Sequence, residues 1–166
     1  MTTERWLAPN EVYFNDLEII AGGIYNTAPT LSRKWTSRFY ALAKLVATWS
    51  KDPDRQVGAV IVSDRKMIRG VGYNGLPRGL RDIKLRTEDH IHAEVNAIFN
   101  ASEGVRKCAL FVTSFPCTPC AAVIIQAGIE AVYAPPMEYG SDSWWHSQLR
   151  ARCMFNEAGV EVAYAE

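Results

Sequence analysis

The chain has 166 residues, 48 % of them apolar and 22 % charged, which suits a single soluble domain with its own core. Its 18 Lys and Arg balance 18 Asp and Glu, so the composition argues against a protein that grips long, polymeric nucleic acid by its phosphates. Four cysteines in this length are too few for a disulfide scaffold, no apolar run is long enough to span a membrane, and no apolar leader follows the first residues, so an intracellular, cytoplasmic protein is expected.

Residues 1–34 are interrupted by Pro9, Gly22, Gly23 and Pro29. They are expected to form an N-terminal arm that packs on the domain surface, or acts as a lid or a subunit-exchange arm, ahead of a domain over residues 35–166. Residues 35–49 predict an amphipathic helix with Phe39, Leu42, Val46 and Trp49 on its buried stripe and Leu45 widening it. Pro53 ends it, because a proline disfavours helical geometry at Asp52. The β-branched run at 57–62 predicts a buried strand, and residues 67–73 the second strand of a hairpin across a turn at 63–66. A loop follows at 74–79, rich in residues that tolerate unusual backbone angles.

Residues 92–101 predict a helix with Val95, Ile98 and Phe99 inward. A third strand is expected at 110–113 and a helix at 117–127, stopped by Gly128. A fourth strand follows at 129–134, a last helix at 141–158 ended by Gly159, and an alternating edge strand at 160–164. Helices alternating with buried strands imply a three-layer α/β/α domain with a mixed sheet.

Two short stretches carry chemistry, His92-Ala93-Glu94 and Pro116-Cys117-Thr118-Pro119-Cys120. One imidazole and two thiolates hold a zinc ion and leave a fourth position for water. Cys117 and Cys120 are one helical turn apart, so both sulfurs fall on one side. Prolines at 116 and 119 fit a helix start, where unpaired N–H groups favour thiolate over thiol. His92 and Glu94 would diverge in mid-helix, but at a helix start both can face one cleft. The pattern is the signature of zinc-dependent nucleobase deaminases. In that chemistry an activated water attacks C4 of cytosine, and Glu94, not itself a ligand, takes the water proton, delivers it to N3 and protonates the departing amine.

Other readings stay open at this point. Cys-x-x-Cys alone also serves as a redox pair. His90 or His146 as a fourth ligand would close the shell and make the zinc structural. Cys108 and Cys153 sit among apolar neighbours and read as buried, inert thiols.

Ser50-Lys51-Asp52-Pro53, Gln56-Val57-Gly58-Ala59-Val60-Ile61-Val62, Gly72-Tyr73-Asn74-Gly75-Leu76-Pro77, His92-Ala93-Glu94-Val95-Asn96-Ala97-Ile98 and Phe115-Pro116-Cys117-Thr118-Pro119-Cys120 together resemble the deoxycytidylate deaminase family. Ile124-Ile125-Gln126-Ala127-Gly128-Ile129 and Phe155-Asn156-Glu157-Ala158-Gly159-Val160 extend the resemblance over residues 39–164. The zinc motif alone specifies only the wider cytidine-deaminase-like superfamily; the Ser-Lys-Asp-Pro and Gly-Tyr-Asn-Gly stretches point to the nucleotide enzyme.

The resemblance implies a five-stranded mixed sheet flanked by helices, one catalytic Zn2+ per chain, and hydrolysis of dCMP to dUMP for thymidylate supply. It also implies a homo-oligomer, often a hexamer. It makes Asn74 a contact to the sugar 3′-hydroxyl and the Ala93 backbone a contact to the base edge. A nucleotide phosphate needs cations or donors near the mouth, and Ser50, Lys51 and Arg55 are the candidates, with the Tyr133 hydroxyl as a further one. Regulation by dCTP and dTTP is left open. The segment 80–91 is shorter than in many allosteric members and lacks their inserted second-zinc residues, while the Gly-Tyr-Asn-Gly stretch linked to effectors is present. Alternatives are a deaminase of dCTP or of a 5-substituted dCMP, and a zinc-stabilised binding protein without catalysis.

Overall fold

The computed structural model describes residues 31–81, 89–137 and 142–165, so residues 1–30 of the expected arm lie outside the described residues. Strand β1 (Gly58–Val62) is buried along its whole length and pairs antiparallel with both β2 (Ile68–Tyr73) and β3 (Ala109–Val112). Strands β4 (Ala131–Ala134) and β5 (Glu161–Tyr164) continue the sheet in parallel, giving the order β2-β1-β3-β4-β5. The sheet is therefore mixed and five-stranded, with β5 at one edge.

Alternation along the strands sorts their side chains to two faces. Ala59, Ile61, Leu110, Val112, Val132 and Ala134 join one core cluster, while Val60, Val62, Phe111, Ala131 and Tyr133 join another. Helix α1 (Arg33–Ala47) covers the second cluster. Helices α2 (Ala93–Phe99), α3 (Thr118–Gln126) and α4 (Asp142–Ala158) supply residues to the first. This is the expected three-layer arrangement. Gly128 and Gly159, at φ 75° and 71°, end α3 and α4 in the left-handed conformation that glycine adopts without strain.

Two predicted helix faces are corrected by the packing. On α1 the buried residues are Phe39, Tyr40, Ala43, Val46 and Ala47, whereas Leu45 and Trp49 are 56 % and 51 % exposed. The helix settles onto Gly58: a side chain there would collide with Ala43 O and Ala47 N, so the alanine ridge and not the leucine ridge meets the sheet. On α2 the inward face is Ala93 and Ala97, pressed against Gly70 and Gly72, and Phe99 is 79 % exposed. Two residues past Ala97 is about 200° around the helix, which turns Phe99 away from the sheet. Among the described residues no helix is long and apolar enough to cross a membrane.

Candidate functional site

Both short motifs sit at helix starts. His92 is the N-cap of α2 and Cys117 the N-cap of α3, each in extended backbone geometry (φ −68°, ψ 153° and φ −81°, ψ 170°). Pro119 occupies the first turn of α3, where its missing N–H leaves no helical bond unmade. Helix α4 fixes the entry to α3: the Thr118 N–H donates to Ser147 Oγ at 3.0 Å, Thr118 Oγ1 donates to the Ser147 carbonyl at 2.9 Å, and Gln148 donates to the Phe115 carbonyl at 3.2 Å. The α2 start is held by its descent onto Gly72, whose missing side chain makes room for Ala93 O and Ala97 N.

These constraints bring three donor groups together. The sulfurs of Cys117 and Cys120 lie 3.4 and 3.2 Å from His92 Nδ1, and the ligand atoms of all three residues fall within 4.8 Å of one another. A tetrahedral zinc with bonds of about 2.3 Å to sulfur and 2.0–2.1 Å to nitrogen needs sulfur–nitrogen separations of about 3.6 Å, so the triangle fits that ion with a slight expansion. Neither His90 nor His146 belongs to this group of potential ligands among the described residues. The set thus has three protein donors, the number found in zinc sites that keep a position open.

The three donors are electrostatically coupled. The hydrogen bond from Cys120, with help from His92, pulls the Cys117 thiol well below its ordinary range despite burial, while the neighbouring thiolate and burial hold the Cys120 proton on. His92 is raised by its hydrogen bond to Cys117, which outweighs burial. Glu94 is 4 % exposed, and burial pushes its carboxyl up to about 7. A bound cation would oppose that shift. By contrast, burial raises the Cys108 and Cys153 thiols, which remain apart from the cluster.

A cavity of about 180 Å³ opens beside the triangle, lined by Arg55, Asn74, His92, Ala93 and Glu94 among others. The sequence-predicted residues distribute unevenly around it. Arg55 reaches the cavity with its guanidinium 4.8 Å over the Trp144 ring and donating to Ser114 Oγ at 3.0 Å. Asn74 also lines it, but its amide is engaged inside the protein: Nδ2 donates to Asp52 Oδ2 and to the Arg55 carbonyl, and Oδ1 accepts from the Val57 N–H at 2.8 Å. Lys51 lines a separate cavity of about 310 Å³ that shares Asp52 and His90 with the first.

Two expectations for the phosphate change. Ser50 is buried beneath the loop, donating from Oγ to the Asn74 carbonyl at 2.8 Å and accepting from the Asp52 N–H, so it shapes the wall and does not line the cavity. Tyr133 lies on the opposite face of the sheet, stacked on Phe111 with ring centroids 4.3 Å apart and planes at 7°. Strand alternation explains it: Val132 points to the face that carries the triangle, so its neighbour Tyr133 points away. Its buried hydroxyl has no hydrogen-bond partner among the described residues, and burial pushes it up to about 12.

Sequence reasoning missed Trp144, Ser114 and Phe115 as cavity walls. Phe115 adjoins the cysteine motif and was within reach of it. Trp144 is 24 residues beyond Cys120 in the chain, and no local pattern ties the two.

Comparison with known proteins agrees with this geometry. Residues 33–135 match the family model described as "Cytidine and deoxycytidylate deaminase zinc-binding region". The chain is 43 % identical over 141 residues to human deoxycytidylate deaminase, covering 76 % of this chain and 77 % of that one. An uncharacterized deaminase from Aliivibrio fischeri is 44 % identical over 138 residues, covering 79 % of this chain and 93 % of its own. Among solved structures, the cyanophage S-TIM5 dCMP deaminase in complex with dCMP and dUMP superposes with a TM-score of 0.65 at 26 % identity, covering 81 % of this chain and 98 % of that one. Fold, donor triangle and sequence match together place this chain in the zinc-dependent cytidine and deoxycytidylate deaminase family.

Proposed function

We propose that the protein hydrolyses dCMP to dUMP and ammonia. The observation that carries this reading is the triangle of His92, Cys117 and Cys120 beside a buried Glu94, in a cavity that also receives the Arg55 guanidinium. The named activity of the human relative and the nucleotides in the cyanophage complex support the choice of substrate.

His92, Cys117 and Cys120 would hold zinc, which when bound supplies a water with its pKa lowered toward neutrality. Glu94 does the proton work. It accepts one proton of that water and passes it to N3 of cytosine, then takes the second from the hydroxyl at C4 and hands it to the 4-amino group as the C4–N bond breaks. One water enters, ammonia leaves, and C4 carries the carbonyl of uracil. Burial suits Glu94 to this role, because it raises the carboxyl against the lowering that a bound cation brings. The Ala93 N–H, at the first helical position of α2, is offered to the base edge. Val57, Phe115 and Trp144 exclude water around the ring, and Arg55 faces the 5′-phosphate as a charge-assisted donor.

The same reading covers assembly and location. Leu45, Trp49, Tyr73 and Phe99 leave large apolar surface in solvent, and burying it between copies in a cytoplasmic homo-oligomer accounts for it. Sedimentation of the purified protein checks this, and a monomer at micromolar concentration would refute it.

The test of function is ammonia release from cytidine, deoxycytidine, CMP, dCMP, dCTP and 5-methyl-dCMP, with and without dCTP and dTTP as effectors. Equal turnover of deoxycytidine and dCMP would remove Arg55 from phosphate recognition. Glu94→Gln should keep its zinc by elemental analysis and lose activity by roughly a hundredfold to ten-thousandfold. Retained activity in that variant would overturn the proton assignment.

A further inference from the structure

His90 stands outside the donor triangle, and its neighbours give it another use. Its ring lines the same cavity as His92 and Glu94, and its Nδ1 lies 3.1 Å from Asp52 Oδ2. Asp52 is held rigidly: Oδ1 accepts the backbone N–H groups of Asp54 at 2.9 Å and Arg55 at 3.0 Å, and Oδ2 accepts Asn74 Nδ2 at 3.1 Å. Burial alone would raise the Asp52 carboxyl, but the two backbone donors and His90 outweigh it and hold it below its ordinary value. An ionised carboxylate only accepts hydrogen bonds, so Nδ1 of the ring carries the hydrogen. With Nδ1 engaged by Asp52, Nε2 is the ring nitrogen left to meet a ligand, in a fixed direction. Among the described residues, the Asp52 contact is the one hydrogen bond His90 makes.

The cavity wall is also charged unevenly. The Arg55 guanidinium, stacked on Trp144 and bonded to Ser114, suits an anion. Next to His90 the Asp52 carboxylate repels an anion and suits a neutral hydroxyl. Asn74, at this end, has both amide hydrogens engaged and one bond already accepted on Oδ1, so it offers at most one further acceptor site.

The geometry points to His90, oriented by Asp52, as a specificity-determining residue that hydrogen-bonds through Nε2 to a hydroxyl on the sugar of the substrate. This rests on the nucleotide reading above, in which that hydroxyl is the 3′-OH of dCMP. Asp52 is a positioning residue, since it acts through His90. The result is a cavity that sorts its ligand by charge, phosphate toward Arg55 and sugar toward His90.

The experiment measures kcat/KM for dCMP and for 2′,3′-dideoxy-CMP, which lacks the hydroxyl. It uses wild type, His90→Phe, His90→Gln and Asp52→Asn, each checked for zinc content and thermal melting. Wild type should prefer dCMP by roughly five- to tenfold, the effect of one neutral hydrogen bond. His90→Phe should bring that ratio close to one, and His90→Gln, whose amide can still hydrogen-bond, should restore part of it. Asp52→Asn should lower the ratio without abolishing it. Equal losses on both nucleotides, or no preference in wild type, would overturn the inference while leaving the deaminase reading intact. If His90→Phe does not fold, the wild-type ratio and His90→Gln decide between the same outcomes. Wild-type protein that releases no ammonia from dCMP would defeat both.

Discussion

The layer formed by α1 and the layer formed by α2, α3 and α4 bury the same sheet with different materials. Under α1 the cluster is aromatic: Trp35 stacks on Phe39, Phe39 meets Phe111 at 5.4 Å, and Phe111 stacks on Tyr133. On the other face the residues around the triangle are small, Ala93, Ala97, Cys117, Cys120 and Ala121, and beyond them pack Ile61, Leu110, Ile124, Phe115 and Phe155. Large rings maximise buried area and so carry stability. Small residues let helix starts approach the sheet and each other, which is what gathers one imidazole and two sulfurs within reach of a single ion. Both faces carry stability, but the aromatic face carries none of the chemistry, so damage to it should be separable from damage to the site by mutation.

The hardest blow to the chemical face is removal of a donor. Cys120→Ala should lose its zinc, measured by elemental analysis, and lose more activity than the roughly hundredfold that a missing supporting hydrogen bond costs a metal site. Its far-ultraviolet circular dichroism should stay that of a folded α/β protein. Global unfolding would mean that the two faces are not independent.

The matching blow to the other face is Phe111→Ala. A cavity among stacked rings should cost about 3–5 kcal/mol in chemical denaturation. The molecules that remain folded should still bind one zinc each. Gly72→Ala is smaller and sharper, because the added methyl must displace Ala93 O and Ala97 N. We expect about 1–3 kcal/mol of destabilisation. Zinc affinity should fall further than in Phe111→Ala, since α2 carries His92 and Glu94 at its start.

Tyr133→Phe should do least. Removing a buried hydroxyl without a partner is expected to change stability by less than about 1 kcal/mol, with gain favoured over loss. Its kcat/KM on dCMP should match wild type. A loss on dCMP that is absent on deoxycytidine would return Tyr133 to the phosphate and break the separation of the faces.

Periodicity, turn residues and motif spacing were enough to read every described strand and helix to within a few residues, because those signals are local. The donor triangle was legible because the Cys-x-x-Cys turn and the His-x-Glu at a helix start together form a known signature. Helix facing was legible in part: Phe39 and Val46 are buried and Val95 and Ile98 pack against the core as expected. Leu45 and Phe99 fit an inward stripe by periodicity, and only the glycine floors at Gly58 and Gly72 decide which ridge descends.

The sequence by itself determined the elements and their order, since each follows from residues near one another along the chain, and it marked the metal chemistry by two short motifs that the fold brings together. Tertiary structure alone decided that Ser50 lies under the Asn74 loop, that Tyr133 faces α1, and that Trp144 and the Asp52–His90 pair wall the cavity. Those placements join residues dozens of positions apart. They are fixed by which strand face a side chain takes and how closely a helix can approach it, quantities that no local pattern encodes.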